Sequence, residues 1–277
     1  MNNCTGVYMN ELQRVEFDLL QNFVNICNKL DLKYYLVCGS ALGAVKYNGF
    51  IPWDDDIDVA LLRDDYNIFL EKAPEMLPDY IFLQNYKSDL SFPQIYSKLR
   101  NSNTAFIEKS AADLPINHGI NIDIFPLDGY PETSYAQKLF EVKKRIYGAL
   151  LLSVYNVPRK GFSRYLNKFF NFIKLKNHIH FVSARFEKFI SKYSSDDSLI
   201  LCNHGNWQGK LDYSPREHFG SGEFFNFEGL EVRIPKEYDK YLSQKYGDYM
   251  SELPEEKQKS HHNCIVCDCN NSYKKYR

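Results

Sequence analysis

Phe50-Ile51-Pro52-Trp53-Asp54-Asp55-Asp56-Ile57-Asp58-Val59 is the stretch that decides how this chain is read. Successive side chains of an extended strand point to opposite faces. Asp56 and Asp58 then share one face, while Ile57, Val59 and Leu61 anchor the other in a core. Two carboxylates held side by side are costly, since unit charges ~4 Å apart repel by about 4 kcal/mol at an effective dielectric of about 20. A divalent cation removes that repulsion, and oxygen-only ligands favour Mg²⁺ or Mn²⁺. A solvated turn would carry a similar run of aspartates, so the neighbouring segments have to decide. A calcium loop is excluded. In that register the turn glycine is replaced by Val59 and the closing glutamate by Asp65, and 59–62 prefers a strand.

Upstream, an apolar strand over 34–38 ends at Gly39-Ser40, and a helix over 41–47 follows, closed by the turn Asn48-Gly49. A small-residue turn at a helix N-terminus offers free N–H groups and a positive dipole end to a phosphate. Ser40 would serve equally as an ordinary helix cap. The combination is more informative: strand, Gly-Ser, helix, then a strand bearing Asp-x-Asp, the order used by nucleotidyltransferases of the polymerase β type. Such a site needs a third carboxylate from a neighbouring strand. Asp123, between Ile122 and Ile124 in Ile120-Asn121-Ile122-Asp123-Ile124-Phe125-Pro126, supplies it.

Further out, helical spacing of Leu12, Val15, Leu19, Phe23, Ile26, Cys27 and Leu30 predicts a helix over 11–30. A strand over 56–62 leads into a helix over 64–72, and strands are expected over 80–84, 94–100 and 120–125. Residues 135–193 read as mostly helical with an interruption around Pro158 and Gly161. A hairpin over 224–234 turns at Glu228-Gly229, a helix follows over 237–246, and the tail after Pro254 is expected to be irregular. The fold class is therefore mixed α/β (α+β). Residues 1–135 form a catalytic core with a mixed sheet, and residues 136–277 form a mainly helical region completing the same fold.

The bulk composition excludes several classes. With 277 residues, 44% hydrophobic and 25% charged, the chain can bury a sizeable core and is neither disordered nor a coiled coil. A net charge of −1 argues against a nucleic-acid binder. Residues 142–186 nonetheless hold ten Lys and Arg and no acid, a stretch that suits an anionic partner. Within it Tyr165, Leu166, Phe169, Phe170, Phe172, Ile173 and Leu175 alternate with basic residues. They read as a core helix with a basic face, with peripheral docking on the inner membrane leaflet as the alternative. No signal peptide or membrane-spanning run is visible, and seven scattered cysteines do not form a disulfide scaffold, so a cytoplasmic location is expected. His261-His262-Asn263-Cys264-Ile265-Val266-Cys267-Asp268-Cys269 has residue types suited to zinc but no second paired half, and is read as a tail with reduced thiols.

Gly39-Ser40-Ala41-Leu42-Gly43-Ala44-Val45-Lys46, with residues 49–58, strongly resembles the LicD family. So does Ile122-Asp123-Ile124-Phe125-Pro126-Leu127-Asp128. Weaker matches run through Lys98-Leu99-Arg100-Asn101-Ser102-Asn103-Thr104, Phe227-Glu228-Gly229-Leu230 and Tyr246-Gly247-Asp248-Tyr249-Met250. The resemblance covers most of the chain. It implies a nucleotidyltransferase-like fold, a divalent metal, a CDP-linked donor (choline, glycerol or ribitol) and a glycan acceptor, free or lipid-linked. Its relatives include fukutin-type transferases. Two departures stand out. Cys38-Gly39-Ser40-Ala41 replaces a frequent Gly-Thr-Leu-Leu but keeps the hydroxyl, and Lys46 replaces a frequent Arg, keeping the charge without the bidentate fork.

These readings assign Asp56, Asp58 and Asp123 as catalytic metal ligands, with Asp54 as a further carboxylate. Gly39 and Ser40 cradle a donor phosphate, and Lys46, Lys98 and Arg100 neutralise the donor's charge. Asp123 is also expected to take the acceptor's proton. For Lys98 and Arg100 a solvated strand edge is the competing reading. On the resemblance, the tail histidines would reach the donor pocket. The rival functions are transfer of a nucleotide to a small molecule or RNA, and a non-catalytic nucleotide- or metal-binding module.

Overall fold

The computed structural model describes residues 9–155, 175–205, 209–260 and 262–277. The first helix, α1 (Glu11–Lys29), begins at a capping box in which Asn10 and Gln13 satisfy each other's backbone amides. It buries Leu19, Leu20, Phe23, Val24 and Cys27 against the sheet, the stripe expected from the 3.6-residue period. Strand β1 (Tyr34–Leu36) leads directly into α2 (Cys38–Tyr47), which ends at Asn48 in the left-handed conformation. Then come β2 (Asp58–Leu62), α3 (Arg63–Lys72), β3 (Ile81–Gln84), β4 (Ser97–Asn101), β5 (Ala105–Glu108) and the long β6 (Ile120–Gly129). Helices α4 (Ser134–Leu152) and α5 (Ile179–Ile190) pack together around Phe140 and Phe186. The chain continues through β7 (Ile200–Asn203), β8 (Tyr213–Pro215), the β9–β10 hairpin (Glu223–Phe227, Leu230–Ile234), α6 (Tyr238–Tyr246) and β11 (Cys264–Asp268).

Seven strands form one mixed sheet in the order β1-β2-β6-β4-β3, with β7 on β6 and β8 on β7. The central pair β2–β6 is parallel, and its other neighbours are antiparallel. Ile120, Ile122 and Ile124, wholly buried, press one face of β6 into the core, so Asn121 and Asp123 are held on the other. The fold is the expected α+β class, and β7 and β8 join residues of the second half to the sheet. At the hairpin tip Glu228 and Gly229 both take positive φ, the turn geometry that matches strand twist.

Three local expectations change. The helix after β1 starts at Cys38 rather than Ala41, because extended Val37 occupies the cap position and the Ser40 hydroxyl is used elsewhere. Strand pairing begins at Asp58, since the chain before it turns tightly at Ile51–Asp54, with the Asp54 amide on the Ile51 carbonyl (2.9 Å). Asp56 therefore sits on the lead-in, off the strand. The tail is not irregular either: β11 pairs with β5 in a two-stranded antiparallel sheet. The interruption at Pro158 and Gly161 and the basic aromatic run from Tyr165 lie outside the described residues. Among those described, no helix is long and apolar enough to cross a membrane.

Candidate active site

The sheet carries one polar row across four strands. Asp58 on β2 is paired with Asp123 on β6, Asp123 with Lys98 on β4, and Lys98 with Gln84 on β3. Lys98 Nζ lies 2.7 Å from Asp123 Oδ1. Asn121 donates to the same oxygen at 2.8 Å, and Arg100 in turn donates to Asn121 Oδ1 at 2.8 Å and to the Gly119 carbonyl at 2.6 Å. Lys98 and Arg100 are 7% and 4% exposed, so neither is a solvated edge residue. Lys98 faces the acids directly. Arg100 instead holds Asn121, which holds Asp123, so it positions an acid where donor contact was expected.

The remaining acids come from the lead-in to β2. Asp54, Asp55 and Asp56 can each bring an oxygen within 4.8 Å of the others'. Gln13 of α1 fixes this segment by donating to the Asp54 carbonyl at 3.1 Å. The Ser40 hydroxyl accepts the Asp58 amide at 2.8 Å, tying the first turn of α2 to the head of β2. Gly39 sits in that same turn, where an added Cβ would lie 2.9 Å from Asp54 Oδ2. An added side chain there would press on the carboxylate. Lys46, at the far end of α2, donates to the Ser251 carbonyl at 2.8 Å. Seven residues of helix put it roughly 10 Å along the axis from Gly39, and it is not brought to the acids.

Four further residues join the site, of which only His262 was expected there, on the resemblance. Glu16 of α1 is 1% exposed and lines a cavity together with Asp55, Asp56, Asp123, Lys98 and His262. Asp55 accepts from the Ser260 hydroxyl and sits 3.0 Å from His262 Nδ1, while His262 Nε2 is 4.0 Å from Asp56. The β5–β11 pairing delivers His262, in line with the tail histidines reaching the pocket. The hydroxyl of Tyr246, a residue 43% exposed, is pushed up first by burial and then by Cys38 and Asp58. The sequence did carry one signal for Glu16: a carboxylate at helical spacing within the buried stripe of α1. Among the described residues, Cys264, Cys267 and Cys269 do not assemble into a metal-binding group with His262.

The electrostatics follow from crowded burial. Burial first, then Asp56, pushes Asp54 up to about 8. Asp58 is pushed well above the usual carboxylate range by burial and then by Asp56 and Asp123. Burial also raises Asp56, against the pull of His262. The hydrogen bond to Asp55 lifts His262 to about 9. Carboxylates that resist ionisation without a counter-charge, offering oxygen alone, fit a hard divalent cation. The orphaned Glu16 Oε2, buried with no hydrogen-bond partner, points the same way. A larger cavity of about 670 Å³ lies by Lys33, Leu62 and Arg216, past the other end of β2, and holds none of these residues.

Acids from two adjacent parallel strands thus gather beside the first turn of α2. A family model described as LicD/FKTN/FKRP, nucleotidyltransferase domain, matches residues 31–147. The chain is 30% identical over 264 residues to the lipopolysaccharide cholinephosphotransferase LicD of Haemophilus influenzae, spanning 92% of this chain and 96% of that protein. It is also 28% identical over 140 residues to an uncharacterised protein of Rickettsia prowazekii, 48% of this chain and 47% of the other. The chain belongs to the LicD family. The matched segment takes in the polar row and the aspartate run, while Glu16 and His262 fall outside it.

Proposed function

We propose that this LicD-type phosphotransferase moves phosphocholine from CDP-choline to a hydroxyl of a cell-surface glycan or its precursor. The observation that carries the reading is the convergence of Asp54, Asp56, Asp58 and Asp123 beside the first turn of α2. The choice of headgroup and acceptor rests on the Haemophilus relative, whose name specifies phosphocholine and lipopolysaccharide. A CDP-linked donor and Mg²⁺ are the chemistry that an oxygen-only acidic site next to a helix N-terminus suits best.

In this reading Asp56, Asp58 and Asp123, with Asp54 alongside, would hold Mg²⁺, which would supply positive charge to the donor diphosphate. The Gly39 and Ser40 amides would face the same phosphates, the Cys38 amide being bonded to the Tyr241 hydroxyl. Ser40, whose oxygen accepts from Asp58, keeps its own proton to donate to a phosphate oxygen. The acceptor oxygen attacks the phosphorus bearing choline, the P–O bond to CMP breaks, and CMP leaves with the bonding pair. The acceptor's proton passes to Asp123. That carboxylate is paired with Lys98, so donor phosphates that draw Lys98 toward themselves free it to accept.

The test is CMP release from CDP-choline, CDP-glycerol and CDP-ribitol, each with Mg²⁺ or EDTA and a glycan acceptor. Metal-dependent CMP release from CDP-choline alone supports the reading, and release from another donor would reassign the headgroup. Pyrophosphate release from CTP or ATP, with none of the three donors used, would replace it with nucleotidyl transfer.

A further inference from the structure

We propose that Glu16 completes a second cation site, on the α1 side of the acidic wall and separate from the one at Asp58; this rests on the reading that the wall binds divalent metal. Glu16 is 1% exposed and its Oε2 has no hydrogen-bond partner. Its helix is held in place. One turn earlier, Gln13 is bonded both to the Asn10 cap and to the Asp54 carbonyl, which locks α1 to the aspartate run. The cavity that Glu16 lines has about 10 Å³ of free room, the size of one ion or one water. Five carboxylates line it against two cations, Lys98 and His262.

Both cations have nearer partners. Lys98 is 2.7 Å from Asp123, and His262 is 3.0 Å from Asp55. Neither is left to satisfy Glu16, and an isolated buried carboxylate is strongly disfavoured. A compact divalent ion between Glu16, Asp55, Asp56 and Asp123 satisfies the orphaned oxygen and the charge excess together. Asp58 does not line this cavity, so the two sites share Asp56 and Asp123 and differ in Glu16 and Asp58.

Mn²⁺ titration of the full chain, followed by loss of the free-ion EPR signal, tests the proposal without reference to activity. The wild type is expected to bind two Mn²⁺. Glu16→Gln, which keeps shape and removes charge, is expected to bind one, and Asp58→Asn also one. In the double variant both are lost. Glu16→Asp, which keeps the charge, retains the second ion with about 10–100-fold weaker affinity and serves should the glutamine variant not fold. Thermal melts without metal verify folding. Two ions in Glu16→Gln with wild-type affinities would overturn the second site alone, as would a single wild-type ion unaffected by Glu16→Gln. No Mn²⁺ bound by the wild type would overturn this proposal and the metal reading of the function together.

Discussion

Strands β2 and β6 run parallel, and their two ends treat buried charge in opposite ways. At the far end Arg63 meets Asp128 through two bonds of 2.7 and 2.6 Å and reaches Glu187 at 3.1 Å, with Tyr86 also donating to Glu187. Arg63 is 5% exposed and Asp128 not at all, so the pairing is dry and bidentate. At the near end Asp58 and Asp123 sit at paired positions with Asp54, Asp55, Asp56 and Glu16 around them, and few cations oppose them. The difference teaches that burial and charge do not by themselves mark a site. A matched set fixes the helices to the sheet; an unmatched one stores a demand for a positive ligand.

The sharpest way to break this comparison is to neutralise one acid at each end. Asp58→Asn is expected to cut Mg²⁺-dependent CMP release by roughly 1,000-fold or more, the several kcal/mol that a bound metal contributes to transition-state charge. Without metal its melting temperature should not fall, because a buried like charge has been removed. Asp128→Asn should do the reverse. Leaving Arg63 without its bidentate partner costs about 3–5 kcal/mol in denaturant unfolding, with the Mn²⁺ affinity of the folded protein unchanged. Loss of metal binding in a folded Asp128→Asn protein would erase the distinction between the two ends.

A smaller effect sharpens the role given to Arg100. Arg100→Met or Asn121→Ala removes the support behind Asp123 and is expected to weaken Mn²⁺ binding about 10–100-fold, read by the same titration. The change should appear in the metal dependence of activity before it appears in kcat at saturating metal. Equal metal affinity in both variants would return Arg100 to a purely structural part.

The pH dependence of the metal-free protein is the mildest test. Asp54 rises from 3.8 to about 8 on folding, and His262 from 6.5 to about 9. Both groups bind more protons folded than unfolded, so each contribution is full below its unfolded value and lost as pH climbs through the folded one. In EDTA the melting temperature should therefore fall between about pH 6.5 and pH 9. Saturating Mg²⁺ should narrow or reverse that trend, because ionised carboxylates are the ligands. A melting temperature that rises with pH in EDTA would contradict the crowding of acids described here.

Much of the near end was legible in the sequence because its determinants are local. Asp123 between two isoleucines, and the glycine and serine after a strand, are short-range patterns, and the structure places all of them at one end of the sheet. Asp56, just before β2, and Asp58 flank the wholly buried Ile57, the alternation that the sequence predicts. Lys46 shows the limit of the same reasoning: adjacency in a motif placed it at the phosphate, yet a helix carries it to the opposite end. Glu16, Asp55 and His262 depend on contacts between segments as many as 246 residues apart in the numbering, from α1 to the β5–β11 pair. No local periodicity encodes such a meeting. Arg100 read as a cation for the donor because alternation cannot tell that Asn121 and Gly119 lie across the ladder.

The most direct test of the central claim follows phosphorus itself. CDP-choline, a glycan acceptor, Mg²⁺ and the enzyme would be monitored by ³¹P NMR, with Asp58→Asn as the control. The account predicts loss of the diphosphate pair, with CMP and a glycan-linked phosphodiester growing in equal amounts, and no change in the control. A phosphodiester joining cytidine to the acceptor, with free phosphocholine released instead, would show that the bond breaks on the other side and would contradict it.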